Sequence, residues 1–372
     1  MTTTQLTELE DVPLPPFPEG WYFIETRQAI EKAKLVSQTW MGEEIIAWID
    51  DHGQICVAEA HCPHLGANLS PEVGGRVVDG QLVCPFHGFA YDATGQCIST
   101  PYTNPPPTAR LRLFETQERM GLIFGWWGID RRPPQWPMPD ETEDNEGWSS
   151  LERRSVKFAG HPQETTENSV DYSHLNYVHG FGDVSRTAPL VIEGHRLESR
   201  FEFQTTKPIT KLGRITFDIS AATFVYGLGV SYVEIRERSI GMDLRLWVLA
   251  TPIDGTNIEM TLFSQVKEIT NPKRFVMGLG FLPKKFRAPL MNKFIAANQI
   301  QDVKKDVIIW NRKKYRSRPR LFRLDGDIMP FRRYCAQFYP NTKATTPASA
   351  ETESEAAQQT VTPAASQSAT RI

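Results

Sequence analysis

Cys62-Pro63-His64 and Cys84-Pro85-Phe86-His87 are two short stretches that each pair one cysteine with one histidine. Nineteen residues separate His64 from Cys84, and a glycine follows each pair, at Gly66 and at Gly88. Glycine lets a loop fold tightly, so that its backbone N–H groups can approach a bound group. The two stretches therefore predict a pair of loops that hold one metal centre between them.

The arrangement of the four residues indicates which metal centre this is. Cysteines that hold one iron and histidines that hold the other are the ligand set of a Rieske-type [2Fe-2S] cluster. The alternatives are a Cys₂His₂ zinc site, or four core residues at this spacing by chance. Zinc fingers place like ligands together, whereas each loop here carries one of each kind, which favours the [2Fe-2S] cluster.

The stretches Cys62–Leu69 and Cys84–Cys97 resemble the Rieske domain of ring-hydroxylating and steroid-hydroxylating oxygenases. The resemblance implies that Cys62, His64, Cys84 and His87 bind the cluster. One departure is Phe89, where that family usually has tryptophan, and it is expected to alter packing rather than ligation. Cys56 and Cys97 are interpreted as structural, and His61 as a loop residue rather than a ligand.

A second set of polar residues lies further along the chain, in a segment predicted to be helical from Gln163 to Val178. Asn168, Asp171 and His174 follow one another at i, i+3 steps, which places them on one face of a helix. His179 lies five residues after His174, so both histidines can reach one metal only if the helix ends or is distorted between them. Considered singly, His174 and His179 are each more simply interpreted as an ordinary residue at a helix end than as a metal ligand.

Two histidines and one carboxylate form the facial triad that binds Fe(II) and leaves positions open for dioxygen and substrate. Asp302 and Asp306 lie one helical turn apart late in the chain and are the candidates for the carboxylate. Asp306 is preferred because its surroundings resemble the segment that supplies the aspartate in steroid-hydroxylating relatives. The alternative for Asp306 is a solvated charge beside Lys304 and Lys305.

The resemblance covers roughly Trp21 to Tyr339 and implies the terminal oxygenase component of a Rieske non-haem iron system. It further implies a homotrimer in which Asp171 links the mononuclear iron of one subunit to His87 of its neighbour. No dinucleotide-binding glycine motif is present, so electrons are expected from a separate NAD(P)H reductase, with or without a ferredoxin. The alternatives are an aromatic-ring hydroxylase, an O-demethylase, or an electron carrier without enzymatic activity.

The sequence predicts an α+β protein. Short runs in which apolar and polar residues alternate, separated by turn residues, predict an all-β Rieske domain over residues 17–130. Longer strands followed by a helical pattern predict a catalytic domain over residues 131–340, with an antiparallel sheet flanked by helices in the helix-grip manner. Residues 341–372 have the composition of a disordered tail.

The chain has 372 residues, 40% of them hydrophobic, and a net charge of −3, which gives no reason to expect nucleic acid as a partner. Five cysteines are too few for a disulfide framework, so a cytoplasmic location is expected. No apolar run is long enough to span a membrane, and no export signal is expected.

The substrate is expected to be a bulky apolar molecule, because two segments resemble the steroid 9α-hydroxylase and sterol 7-desaturase group: Asp171–His179 and Asp325–Tyr339. Some aromatic residues could line its pocket, although filling the core is the simpler interpretation of each one: Phe224, Tyr226, Tyr232 and Trp247. The basic and apolar stretch from Lys273 to Arg287 is interpreted as a surface-packed helix and turn rather than a membrane contact.

Overall fold

The computed structural model describes residues 11–140, 145–210, 213–272 and 279–340. The predicted tail, residues 341–372, lies outside the described residues, as does the first part of the Lys273–Arg287 stretch. Contacts group the described chain up to Tyr339 into one compact unit.

The first part of this unit consists almost entirely of short antiparallel strands in three small sheets, as the alternating runs predict. One helix, α1, interrupts them after Thr26, whose side chain accepts the N–H of Ala29 as an N-cap. The sheets have the orders β1-β10-β9, β2-β3-β4 and β5-β6-β7-β8. The elements are β1 (Gly20–Thr26), α1 (Arg27–Ala33), β2 (Leu35–Trp40), β3 (Glu43–Ile49), β4 (Ile55–Glu59), β5 (Arg76–Val78), β6 (Gln81–Val83), β7 (Ala90–Tyr91), β8 (Cys97–Ser99), β9 (Thr116–Arg119) and β10 (Leu122–Trp127).

The second part is built on one large antiparallel sheet with the order β11-β18-β17-β16-β15-β14-β12, in which β13 also pairs with β14. Its strands are β11 (Glu152–Ala159), β12 (Gly182–Arg186), β13 (Val191–Glu193), β14 (Arg196–Thr210), β15 (Gly213–Tyr226), β16 (Val230–Glu237), β17 (Met242–Pro252) and β18 (Asn257–Val266). Its helices are α2 (Pro162–Thr166), α3 (Ser173–Tyr177), α4 (Lys284–Trp310) and α5 (Ile328–Cys335). The predicted α+β class is confirmed.

One face of the large sheet packs on the long helix α4. Ser264 of β18 donates its hydroxyl to Oδ1 of Asn292 at 2.6 Å, and Asn292 is fully buried. Side chains of β17 and β18 such as Leu246 and Met260 pack with helix residues such as Met291 and Val307 in the same clusters.

The other face packs on the small sheet formed by β1, β10 and β9. Phe263 of β18 lies edge-on to Phe23 of β1 with 5.4 Å between ring centroids. The largest hydrophobic cluster joins residues of both sheets, including Trp21, Phe124 and Trp247. Because this cluster crosses the predicted boundary between residues 130 and 131, the two predicted domains share a core.

Candidate active site

Two loops of the N-terminal sheets present the predicted cluster ligands with matching backbone geometry. The N–H of Cys62 donates to the carbonyl of Ala67, and the N–H of Gly66 donates back to Cys62, both at 2.8 Å. The second loop repeats this pattern, since Cys84 donates to Phe89 at 2.8 Å and Gly88 donates to Cys84 at 3.1 Å. Both glycines have positive φ, the backbone region that glycine adopts without strain.

The four predicted ligands come together at the tips of these loops. Cys62 and Cys84 are buried, whereas His64 is exposed and His87 is half-buried, with 4.8 Å between the imidazole centroids. Buried thiols below more exposed imidazoles suit a cluster whose histidine-bound iron lies toward the surface. The residues present fit a [2Fe-2S] group of the Rieske type.

Two aromatic side chains contact this ligand set. The ring of Phe89 stacks on that of His64 at 4.4 Å with an interplanar angle of 6°. Tyr91 places its hydroxyl 3.0 Å from Sγ of Cys62, and a hydroxyl donor stabilises a ligand thiolate. Tyr91 was not predicted from the sequence, although it stands within the quoted Cys84–Cys97 stretch.

The residues interpreted as structural or loop residues rather than ligands have different surroundings. Cys56 is buried, and its burial raises the pKa of the thiol to about 12. Cys97 is also buried and lies 3.5 Å from the carbonyl of Ser99. His61 is exposed and lies 3.3 Å from a carboxylate oxygen of Glu44.

The segment predicted as one helix from Gln163 to Val178 is instead two short helices, and that prediction was wrong. The first helix, α2, continues into a 3₁₀ turn over Glu167–Ser169, and helical geometry is lost at Val170, where φ is −125°. Asp171 lies just before α3, and its Oδ1 accepts hydrogen bonds from the N–H and the hydroxyl of Ser173 at 3.1 and 3.0 Å. Aspartate competes well for such turn contacts, which explains the break.

This broken helix brings both histidines to one point. Nδ1 of His174 lies 2.6 Å from the carbonyl of Asp171, which leaves Nε2 as the nitrogen available to bind a metal. Helix α3 ends before His179, and the two imidazole centroids are 5.4 Å apart.

Helix α4 supplies the carboxylate. Oδ2 of Asp306 lies 3.3 Å from Nε2 of His179, and one ligand atom from each of His174, His179 and Asp306 can be chosen so that all lie within 4.8 Å. Asp306 is buried, with 7% of its surface exposed. These two imidazoles and one carboxylate fit a mononuclear iron of the facial-triad type.

The remaining candidates lie near this cluster. Asp302 is 2.9 Å from Nζ of Lys305 and is not in the three-residue group. The carboxylate of Asp171 lies 3.7 Å from Nδ1 of His174. Burial opposes the ionisation of Asp171, but hydrogen bonds from His174 and Ser173 outweigh it and lower its pKa.

A cavity of about 200 Å³ adjoins His174 and Asp306 between the large sheet and α4. Asn168 lines it, together with side chains from α2, α3, α4 and the sheet. The apolar side chains of its wall are Leu175, Phe201, Val233, Val248, Ala250, Met260, Val303 and Trp310.

The aromatic residues considered for a substrate pocket do not line this cavity. Phe224, Tyr226, Tyr232 and Trp247 are buried members of the cluster that joins the two sheets. Their role in the core is confirmed. The sheet residues that do line the cavity alternate with these aromatic residues along β15, β16 and β17, because neighbouring side chains in a strand point to opposite faces.

The fold and the two sites define a non-haem iron oxygenase that carries a Rieske [2Fe-2S] cluster. A model of the Rieske [2Fe-2S] domain matches residues 20–115. A model of the 3-ketosteroid 9α-hydroxylase C-terminal domain matches residues 125–339, more than half of the chain. The chain therefore belongs to this family of Rieske oxygenases, which favours an enzyme over an electron carrier.

Curated relatives agree with this assignment. The chain is 29% identical to cholesterol 7-desaturase nvd 1 of Ciona intestinalis over 343 residues, which cover 89% of this chain and 70% of the relative. It is 27% identical to the oxygenase component of 3-ketosteroid-9-alpha-monooxygenase of Rhodococcus rhodochrous, over 87% of this chain and 83% of the relative.

Solved structures show the same fold. Dicamba monooxygenase bound to dicamba superposes with a TM-score of 0.66 at 19% identity, covering 86% of this chain and 96% of the other. NdmB of Pseudomonas putida CBB5 superposes with a TM-score of 0.63 at 19% identity, covering 86% and 92%. In the described residues, no helix is long and apolar enough to cross a membrane.

Proposed function

We propose that this chain is an oxygenase component that oxidises a bulky, uncharged substrate of steroid or sterol type. The observation that carries the proposal is the cavity beside His174 and Asp306. Apolar side chains form much of its wall, and no lysine or arginine is among the described residues that line it. An anionic aromatic acid would lack a cationic partner there, whereas a neutral apolar ring system would not need one.

The names of the relatives support this substrate class, since they refer to cholesterol and to a 3-ketosteroid. Hydroxylation and desaturation are the reactions that those names describe. Dicamba monooxygenase shares the fold at 19% identity and supports only the architecture.

The proposed roles of the residues follow from their positions. Cys62, His64, Cys84 and His87 hold the [2Fe-2S] cluster. The proposed iron ligands are His174, His179 and Asp306. The iron, when bound, supplies the chemistry that activates dioxygen with electrons received from the cluster.

The backbone and side chain of Asp171 have separate tasks in this proposal. Its carbonyl accepts the Nδ1–H of His174 and so fixes the tautomer in which Nε2 is the ligand atom. Its carboxylate, partly exposed, connects the site to His87 of a neighbouring subunit in a homotrimer. Asn168 lines the cavity and positions the substrate.

Exposed apolar side chains beside the cluster ligands support a subunit contact at this place. Leu65 is 67% exposed and Phe86 is 62% exposed, and each adjoins a ligand histidine. Large exposed apolar side chains in a functional loop favour docking onto another protein surface. A separate NAD(P)H reductase, with or without a ferredoxin, supplies the electrons.

The test is a product screen with the purified protein, a reductase, NADH and a panel of steroids, sterols and aromatic acids. Mass spectrometry distinguishes hydroxylation by a gain of one oxygen, desaturation by a loss of two hydrogens, and demethylation by a loss of a methyl group. Oxidation of steroids or sterols is expected. Oxidation of aromatic acids with no turnover of any steroid or sterol would contradict the proposed substrate class.

A further inference from the structure

The cavity beside the proposed iron ligands contains two hydroxyl groups on its sheet wall, those of Thr223 in β15 and Ser231 in β16. Both residues are strongly buried, with 4% and 5% of their surfaces exposed. Neither hydroxyl bonds another residue that the structure describes, and neither is among the fully enclosed polar atoms that lack a partner, so both are open to the cavity. A hydroxyl that is open to the cavity and bonded to no protein group is available to hydrogen-bond a polar group of a bound substrate.

The register of the sheet places these two side chains next to each other on the cavity side. Val225 pairs with Ser231 and Thr223 pairs with Val233, so Thr223 and Ser231 point to the same face and are diagonal neighbours. Such neighbours are about 7–8 Å apart between their backbones, within the span of one or two fused rings. One rigid ring system can therefore contact both hydroxyls.

The surroundings of the two hydroxyls are apolar. Val233 and Val248 lie beside them in the strand pairing, and Ala250 and Met260 continue the same wall. The other hydroxyl-bearing threonines of the cavity already have acceptors, since Thr165 donates to the carbonyl of Pro162 and Thr166 donates to that of Leu228. Thr223 and Ser231 thus form a polar patch on an apolar wall.

We propose that the hydroxyl of Thr223 or of Ser231 binds an uncharged oxygen substituent, a keto or hydroxyl group, on the ring system of the substrate and so determines the orientation of the substrate. A hydroxyl side chain can donate to a ketone and can both donate to and accept from an alcohol. The described lining contains no lysine or arginine, which favours an uncharged substituent over a carboxylate at this wall. This inference rests on the proposed function, because it specifies which part of a steroid-like substrate the cavity recognises.

The experiment compares the holoenzyme with the Thr223→Val, Ser231→Ala double variant. These changes remove the hydroxyls and keep nearly the same shape. The control is Thr261→Val, which alters a buried threonine of β18 on the opposite face of the sheet, since Thr261 pairs with Leu249 rather than with a cavity residue. The probes are androst-4-ene-3,17-dione, cholesterol, and 5α-androstane, which has no oxygen.

Dissociation constants are measured for each probe, and oxidation products are mapped by mass spectrometry and NMR. For an oxygenated probe, the double variant is expected to bind about tenfold more weakly and to oxidise more than one carbon, whereas binding of 5α-androstane changes less than about twofold. Thr261→Val should change neither the dissociation constants nor the position of oxidation.

The outcomes separate this inference from the proposed function. If the wild-type protein binds and oxidises none of the three probes, the proposed substrate class is wrong. If the wild-type protein oxidises the oxygenated probes and the double variant matches it in affinity and position of attack, the recognition role of Thr223 and Ser231 is wrong and the proposed function stands.

Discussion

At the scale of single residues, the two candidate carboxylates of α4 give a direct test of the iron site. Asp306→Ala should lower the iron content from about three to about two atoms per chain, because only the mononuclear iron loses a ligand. The visible spectrum of the [2Fe-2S] cluster should stay unchanged. Asp302→Ala is the matched control one helical turn away, and it should retain all the iron because Asp302 lies outside the three-residue group.

Both variants are compared by elemental analysis and electron paramagnetic resonance. Loss of the mononuclear iron in Asp302→Ala with retention in Asp306→Ala would reverse the assignment of the third ligand.

Asp171 is expected to act in electron transfer without holding a metal. Asp171→Asn should keep both iron centres and lower turnover by roughly 100-fold or more, since the amide cannot carry the charge that links the two sites. The fold should tolerate the change, because asparagine is as good a helix cap as aspartate. Single-turnover kinetics from the reduced cluster provide the measurement, with Ser173→Ala as the control that removes only one local contact of Asp171.

At the scale of secondary-structure elements, the start of α2 contains a histidine that should make stability depend on pH. Nδ1 of His161 accepts the N–H of Gln163 at 3.1 Å, and its Nε2 lies 3.0 Å from the carbonyl of Pro15. Burial lowers the pKa of His161 from 6.5 to about 4, and the hydrogen bond to Pro15 only partly offsets this. His161 is therefore neutral in the folded protein at neutral pH.

The direction of the pH effect follows from this lowered pKa. Between about pH 6.5 and 4 the unfolded chain binds more protons at this residue, so the free energy of unfolding falls as the pH falls, by up to about 3 kcal/mol. His161→Asn keeps a capping acceptor and cannot titrate, so urea unfolding should show a shallower pH dependence over this range. If the free energy of unfolding of His161→Asn depends on pH as steeply as that of the wild type, His161 is not the cause of the pH dependence.

The sequence predicts elements better where the signal is local. The Cys62 and Cys84 loops are short and self-contained, so spacing alone indicates them. The break at Val170 is different. Hydrogen bonds to the side chain of Asp171 compete with the backbone hydrogen bonds of a continuous helix, and i, i+3 spacing does not predict which of the two forms. Asp306 is more than a hundred residues from His179, and only the resemblance to a known family associated it with the histidines.

The substrate cavity also depends on both local and long-range features of the sequence. Alternation places residues two apart in one strand, such as Phe224 and Tyr226 of β15, on the same face of the sheet. It does not reveal which face meets α4, since this depends on the packing of distant elements. The aromatic face packs on the small N-terminal sheet, and the cavity is lined by the smaller side chains between those aromatic residues.

At the scale of the whole molecule, the shared core between β1, β10 and the large sheet should couple the stability of the two metal sites. Phe263→Ala removes a ring that packs on Phe23 across this contact. It should lower the free energy of unfolding by about 3–5 kcal/mol, the usual cost of deleting a buried phenylalanine ring. Because β1 and β10 of the N-terminal part pack in the same core as the catalytic sheet, both metal sites should lose structure at lower urea concentration.

The measurement follows visible circular dichroism of the cluster and far-ultraviolet circular dichroism of the chain across one urea titration. In the wild type the two curves should coincide, and in Phe263→Ala they should shift together, as expected when one cooperative unit unfolds. Separate transitions, with only the far-ultraviolet curve displaced, would mean that the N-terminal sheets fold independently of the catalytic sheet despite the shared cluster around Trp21 and Trp247.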